Sequence, residues 1–149
     1  MKIAIGSDHA GFELKEYIRN VLAGGDYEVT DYGTSSPQSV DYPDYGFEVA
    51  KDVAAGKADR GILVCGTGMG MNVVANKVKG IRAALAYDIY TAGQSRKHLD
   101  TNVLVLGERV TGRGLAEEIV RIWLSTGFEG GRHSGRVAKI EAFENKNYR

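Results

Sequence analysis

Short apolar segments alternate with longer amphipathic ones along this chain. Runs rich in Ile, Val and Leu, several of them closed by glycine, predict strands; a more polar run, 28–32, predicts another. The five predicted strands are 3–5, 28–32, 61–65, 81–86 and 102–106. Short apolar runs without polar alternation are typical of strands covered on both faces.

Apolar residues spaced three and four apart predict helices after these strands. The predicted helical segments are 12–22, 47–54, 69–78, 89–97, 115–123 and 133–145. Asp8 is a candidate N-cap for the first helix and Thr111 for the fifth. A strand followed by a helix, repeated five times, predicts an α/β fold with a parallel sheet between two layers of helices. No boundary divides residues 1–149, so we expect one domain, and the pattern leaves the strand order open.

The composition of the chain excludes some classes of binding partner. Its 149 residues carry 19 basic and 19 acidic side chains, with 43% hydrophobic residues. A chain without net charge has no long-range attraction for nucleic acid or anionic membrane, so neither is expected as a partner. No apolar stretch approaches the ~20 residues of a membrane span. Cys65 is the single cysteine, which excludes an internal disulfide and favours a cytoplasmic location.

The segment Cys65-Gly66-Thr67-Gly68-Met69-Gly70 follows a predicted buried strand and precedes a helix. Alternating glycines let successive backbone N–H groups turn inward and form an anion cradle. The alternative is a connector that only turns tightly. The segment is not a P-loop, and Met71 stands where a dinucleotide fingerprint needs glycine.

Cys65 itself has two interpretations. It is either a small apolar residue that ends a buried strand, or a thiolate base favoured by nearby amide donors and a helix N-terminus.

The chain has three histidines, at His9, His98 and His133. His9 follows the first predicted strand, and His98 lies just before the fifth. No two of them have the spacing of a metal-binding pair on one helix, so we expect no metal.

Several arginines are candidate phosphate ligands. Arg132 and Arg136 are four residues apart and share a helix face, and Arg109 follows the fifth strand. The alternative is a solvated basic face. Tyr42, in the loop after the second strand, can wall a pocket. Together with the thiol and the histidines, these groups suit proton transfer on a small phosphorylated molecule.

Several segments, in the same order along almost the whole chain, resemble type B ribose-5-phosphate isomerases, a family that includes allose- and galactose-phosphate isomerases. The segments are 6–11, 39–44, 65–70, 75–77, 80–83 and 130–133. The resemblance implies an aldose–ketose isomerase with a Rossmann-like three-layer α/β/α domain and no metal or other cofactor. It also implies a homodimer whose active sites are built by both subunits, with a tetramer as the alternative.

The resemblance also assigns roles to residues. Cys65 would be the base that moves a proton between C1 and C2, assisted by Thr67, and His98 with Asp8 would open the furanose ring. The backbone of Gly66, Gly68, Met69 and Gly70 would hold the enediolate oxygen. The phosphate would be held by His9, Arg109, Arg132 and Arg136, with Tyr42 beside the sugar.

Two positions depart from the family pattern. Some members carry a carboxylate base where this chain has Met71, which leaves Cys65 as the base. The family usually has Asn where this chain has Leu99, in the substrate-binding segment. Leu99 therefore keeps a six-carbon substrate, allose or galactose 6-phosphate, open as an alternative. A sensor that binds phosphate or a nucleotide without turnover is the alternative from another functional class.

Overall fold

All five predicted strands form, and they pair into one parallel sheet. The computed structural model describes residues 1–148. The strands are β1 Lys2–Ser7, β2 Glu28–Asp31, β3 Arg60–Cys65, β4 Ala83–Leu85 and β5 Val103–Gly107. β4 is shorter than the predicted 81–86, because the Ile81 N–H turns back to the carbonyl of Val78 at 3.1 Å.

The strand order, which the sequence left open, is β2-β1-β3-β5-β4, so that β3 lies in the middle of the sheet. Ser7 of β1 lies opposite Val64 of β3, and Cys65 lies opposite Gly107 of β5. This register brings the residues that follow three strands to one edge of the sheet, where ligands bind in folds of this kind.

The predicted helices are also present. They are α1 Phe12–Ala23, α2 Tyr42–Ala54, α3 Met69–Ala75, α4 Ile89–Leu99, α5 Arg113–Ser125 and α6 Arg132–Asn147, and a short 3-10 turn, His9–Gly11, precedes α1. α2 begins earlier than predicted, with Pro43 in its first turn, where the fixed φ of proline suits a helix. The prediction that Thr111 caps α5 is wrong: Gly112 is the N-cap, and the buried Thr111 hydroxyl has no hydrogen-bond partner among residues 1–148.

Side chains alternate across the sheet and divide the core into two parts. Ile62 and Val64 pack on one face with residues of α1, α4 and α5, whereas Leu63 and Cys65 pack on the other with residues of α2 and α3. The predicted three layers are therefore confirmed. None of the helices within residues 1–148 combines the length and the apolar character needed to cross a bilayer.

Candidate functional site

The Cys65 thiol lies at the carboxyl end of the central strand. Its Sγ accepts a hydrogen bond from the Gly68 backbone N–H, with 3.2 Å between the two atoms. The residue is 5% exposed and packs in the core cluster that includes Met71. Both interpretations of Cys65 have support here: the side chain packs as a small core residue, and its sulfur meets the kind of donor that stabilises a thiolate.

The glycine loop has a defined shape around this thiol. Gly68 has a φ of +87°, a left-handed conformation that favours glycine. The Thr67 hydroxyl accepts the Met69 N–H at 3.3 Å, and the Tyr87 hydroxyl donates to the Thr67 carbonyl at 2.7 Å. The loop leads into α3, whose first turn has N–H groups without acceptors in the helix. These are the donors that the predicted anion cradle requires.

Two further predicted residues border the loop. Tyr42, 40% exposed, lies against Gly70, where an added Cβ would come within 2.8 Å of its ring. Arg109 lies against Gly66, and its backbone N–H donates to the Gly66 carbonyl at 2.9 Å. The loop thus has a guanidinium group at its first glycine and an aromatic ring at its last.

His9 and Asp8 follow β1 at the same edge. The His9 Nδ1 accepts the Val40 N–H at 3.2 Å, so the neutral ring carries its proton on Nε2, which can donate to a ligand. The Asp8 carboxylate accepts the Gly11 N–H at 3.0 Å and caps the 3-10 turn. The prediction that it caps the first helix is wrong for α1 itself, whose N-cap is Gly11. Gly11 in turn packs on the Val64 carbonyl, 2.5 Å from where a Cβ would lie. Asp8 therefore belongs to the Cys65 half of the site.

His98 and Leu99, by contrast, lie at the opposite edge of the sheet, where the strands begin. α4 leaves the carboxyl end of β4 and runs back, as a helix between parallel strands must, so its last residues lie near the strand starts. The Leu99 carbonyl accepts from Arg82 Nε, just before β4, at 2.8 Å. The Glu129 N–H donates to the Lys97 carbonyl at 3.1 Å and brings the start of α6 to the same place. Within one chain, His98 and Asp8 are therefore not brought together. The family resemblance implies that they act together in a site built by both subunits, and that expectation stays a prediction.

His98 stacks on His133, a contact that sequence analysis missed. The ring centroids are 4.1 Å apart and the planes differ by 14°. Burial, and then the charges of His98 and Arg132, lower the pKa of His133 below its ordinary value. The two rings come from α4 and α6, so no local spacing signals their contact.

The candidate phosphate ligands have free guanidinium groups. Arg132 and Arg136 are exposed in the first turns of α6, one helical turn apart, and Arg109 is exposed after β5. Within residues 1–148, none of the three lies within 4.0 Å of a carboxylate. Unpaired guanidinium groups of this kind are suited to binding a phosphate group.

Residues that sequence analysis did not single out support the site. Tyr87 holds the glycine loop, and the Glu108 carboxylate accepts the Leu14 N–H at 2.9 Å in the first turn of α1. Both follow strands, and that position is the signal by which they could have been found.

Comparison with known proteins places this arrangement in context. The profile of the Ribose/Galactose Isomerase family matches residues 3–140. Ribose-5-phosphate isomerase B of Escherichia coli is 50% identical over 145 residues, which cover 97% of each chain. The solved structure of ribose-5-phosphate isomerase B from Clostridium thermocellum is 54% identical, with a TM-score of 0.96 over 98% of this chain and 99% of that one. The Mycoplasma genitalium ribose-5-phosphate isomerase B, solved with bound ribulose-5-phosphate, is 41% identical, with a TM-score of 0.95 over 98% and 97%.

Proposed function

Since this chain belongs to the Ribose/Galactose Isomerase family, we propose that it interconverts ribose 5-phosphate and ribulose 5-phosphate by proton transfer at Cys65. The observation that carries this mechanism is the 3.2 Å contact between the Cys65 Sγ and the Gly68 N–H. It joins a potential base to a loop of amide donors at the ligand-binding edge of the sheet. No metal or other cofactor takes part in the proposal.

The reaction moves one proton between neighbouring carbons. The Cys65 thiolate takes the proton from C2 of the open-chain aldose, and the electron pair moves onto the C1 oxygen to form an enediolate. The thiol then delivers the proton to C1, while the proton on the C2 oxygen passes to the C1 oxygen, which yields the ketose. Amide donors of the loop 66–70 stabilise the charge that develops on oxygen, and one such donor contributes roughly 3–4 kcal/mol in comparable sites. Thr67 helps to hold the loop through the Met69 N–H.

A second copy of the chain completes the site in this proposal. One copy supplies the Cys65 half of the site, which is Cys65, Asp8, His9 and Arg109. The other copy supplies the half that contains His98, because one chain places these two halves at opposite edges of the sheet. The exposed apolar side chains of Met69 and Val73, 60% and 58% accessible on α3, flank the Cys65 half and suit a covering partner.

In such a dimer, the ring-opening and phosphate-binding groups of the two copies face one another across the interface. His98 of the second copy opens the furanose, with Asp8 of the first facing it across the interface. Arg132 and Arg136 of the second copy reach the phosphate together with His9 and Arg109 of the first. Tyr42 lies beside the sugar, against Gly70. We also propose a cytoplasmic location, since the single thiol is free and its chemistry needs a reducing compartment.

The thiol is tested with Cys65→Ala and Cys65→Ser. Both changes are small, so the fold and the binding of inorganic phosphate should persist. We expect isomerisation, and the exchange of deuterium from solvent into the sugar at C1 or C2, to be abolished in both variants. Full turnover by Cys65→Ala would exclude the thiol as the base.

The shared site is tested by mixing two inactive variants. Cys65→Ala and His98→Asn each disable every site of a homodimer. After the subunits exchange at random, half of the dimers are mixed, and each mixed dimer has one intact site. We expect about a quarter of the activity to return, as the symmetry of a twofold dimer requires. If each site is built within one chain, mixing restores nothing.

A six-carbon substrate remains the second candidate, and Leu99 is the observation that favours it. Its side chain is 43% exposed at the end of α4, next to His98. A coupled assay of the purified protein with ribose 5-phosphate, allose 6-phosphate and galactose 6-phosphate decides between them. Binding of all three without turnover would instead favour the sensor.

A further inference from the structure

The opposite edge of the sheet holds a cluster of three metal-ligating side chains from different segments. They are His98 at the end of α4, Glu129 in the loop between α5 and α6, and His133 in the first turn of α6. One potential ligand atom from each lies within 4.8 Å of the other two. Among residues 1–148, this is the one such group of three.

The packing of His133 indicates that the cluster takes a ligand. The residue is 4% exposed, and its Nε2 is buried without a hydrogen-bond partner within residues 1–148. The nearest carboxylate oxygen, Oε2 of Glu129, lies 3.6 Å from this nitrogen, which is too far for a hydrogen bond. A buried ring nitrogen without a partner is costly, and a bound cation would satisfy it.

We propose that His98, Glu129 and His133 form a binding site for a divalent transition metal such as Zn²⁺. The three donors are two imidazoles and one carboxylate, a set that zinc binds in other proteins with a water as fourth ligand. The backbone bond from the Glu129 N–H to the Lys97 carbonyl holds the carboxylate close to His98.

The ligands must close in on the ion by a small movement. Zinc binds nitrogen and oxygen at about 2.0–2.2 Å, which places tetrahedral ligand atoms about 3.3 Å apart. The Glu129 side chain is 51% exposed and His98 is partly exposed, so both are free to rotate towards the buried His133. The present stack of the rings then opens, since two parallel rings direct their lone pairs past a common ion.

The charges near the cluster restrict which ion binds. Arg132 and Arg136 lie beside His133 in the first turns of α6, and their positive charges repel a dication. One carboxylate offsets only part of this repulsion. The site therefore favours ions that bond strongly to imidazole, such as Zn²⁺, over Mg²⁺ and Ca²⁺, which prefer oxygen ligands.

Metal binding at this cluster has a consequence that rests on the proposed function. An ion that occupies the His98 lone pair removes the group that opens the furanose ring. Zn²⁺ thus acts as a reversible inhibitor of an isomerase that needs no metal, and removing the ion restores activity.

The site is tested first by binding alone. Calorimetric titration with ZnCl₂ uses the full-length Cys65→Ala protein, so that the thiol is not a ligand. We expect one zinc ion per chain. When the Glu129→Gln substitution is added to the Cys65→Ala protein, the affinity for zinc should fall at least about tenfold, in line with the loss of a group that supports a metal. Glu48→Gln, which removes an exposed carboxylate paired with Lys51, is the matched control and should change nothing.

Two results overturn the site. One is equal zinc affinity in the Glu129→Gln and Glu48→Gln proteins. The other is the absence of zinc binding in the Cys65→Ala protein when the unmodified protein does bind zinc, which would make the thiol the ligand.

An activity assay then tests the inhibition. With a chelator present, Glu129→Gln should isomerise ribose 5-phosphate as the unmodified protein does. Once the chelator has been removed, the variant should require at least about tenfold more zinc for half inhibition. MgCl₂ should not inhibit either protein. Equal sensitivity to zinc would contradict inhibition through this cluster. An unmodified protein that shows no turnover would refute the proposed function, whereas the titration would still decide whether the site exists.

Discussion

The Gly68 backbone N–H donates to the thiol of Cys65, with 3.2 Å between the nitrogen and the sulfur, and only glycine fits at position 68. Its φ is +87°, and an added Cβ would lie 2.4 Å from Cδ1 of Leu85 and 3.0 Å from the carbonyl oxygen of Leu106. The conformation and the packing of this residue both depend on the missing side chain. The shape of the loop and the position of the sulfur are therefore linked.

Gly68→Ala should abolish most of the activity, because the loop must move away from Leu106 and carry its amide away from the thiol. Gly56→Ala is the control: its φ is +72°, but nothing lies within 4 Å of the added Cβ. Both variants incur the roughly 1–2 kcal/mol of a left-handed alanine. Urea unfolding and kcat/KM, measured together, separate the two effects. Equal activity in both variants would show that the Gly68 contact with Cys65 does not matter.

Arg136→Ala should raise KM for the sugar phosphate by about 10- to 100-fold with little change in kcat, since a charge-assisted hydrogen bond contributes about 1.5–3 kcal/mol. The guanidinium group is exposed and has no carboxylate partner within residues 1–148, so the fold should not change. Arg136→Lys keeps the charge without the forked geometry, so its KM should lie between those of the unmodified protein and Arg136→Ala. An unchanged KM in steady-state kinetics would dismiss Arg136 as a phosphate ligand.

Lys15→Met should destabilise the protein by about 1–3 kcal/mol, because it leaves the Thr34 carbonyl without its donor and removes one of the two cations paired with Asp31. The fully buried ammonium group lies 2.8 Å from both carboxylate oxygens of Asp31 and 2.7 Å from the Thr34 carbonyl. Lys51→Ala removes an exposed pair with Glu48 and should cost less than about 1 kcal/mol. Chemical denaturation measures both, and similar losses would mean that the Lys15 network adds little.

Folding stability should fall as the pH falls through the region below about 6.5, the ordinary pKa of histidine. Burial lowers the pKa of His133 in the folded chain. The unfolded chain therefore binds more protons below pH 6.5, and protonation draws the equilibrium towards unfolding. Above that pH the group is neutral in both states and the dependence ends.

His133→Phe keeps a stacked ring without a titrating nitrogen and should flatten this dependence. Urea midpoints at several pH values between 5 and 8, measured with a chelator present, make the comparison. A variant with the same pH dependence as the unmodified protein would assign the effect to another group.

Local pattern determined the elements and one half of the site. The strands and helices follow from apolar spacing, and Cys65, the glycine loop and His9 were found because they follow strands, where any parallel α/β sheet binds ligands. These inferences need only residues that are close in sequence.

The other half was decided by the tertiary structure. The family resemblance implies that His98 and Asp8 act together in a site built by two subunits. Within one chain, α4 runs back along the sheet before β5 begins, and this carries His98 to the end of the sheet opposite Asp8. The contact of His98 with His133 likewise depends on how α4 and α6 pack. Apolar periodicity reports which face of an element is buried, whereas the strand order and helix directions decide which distant side chains meet.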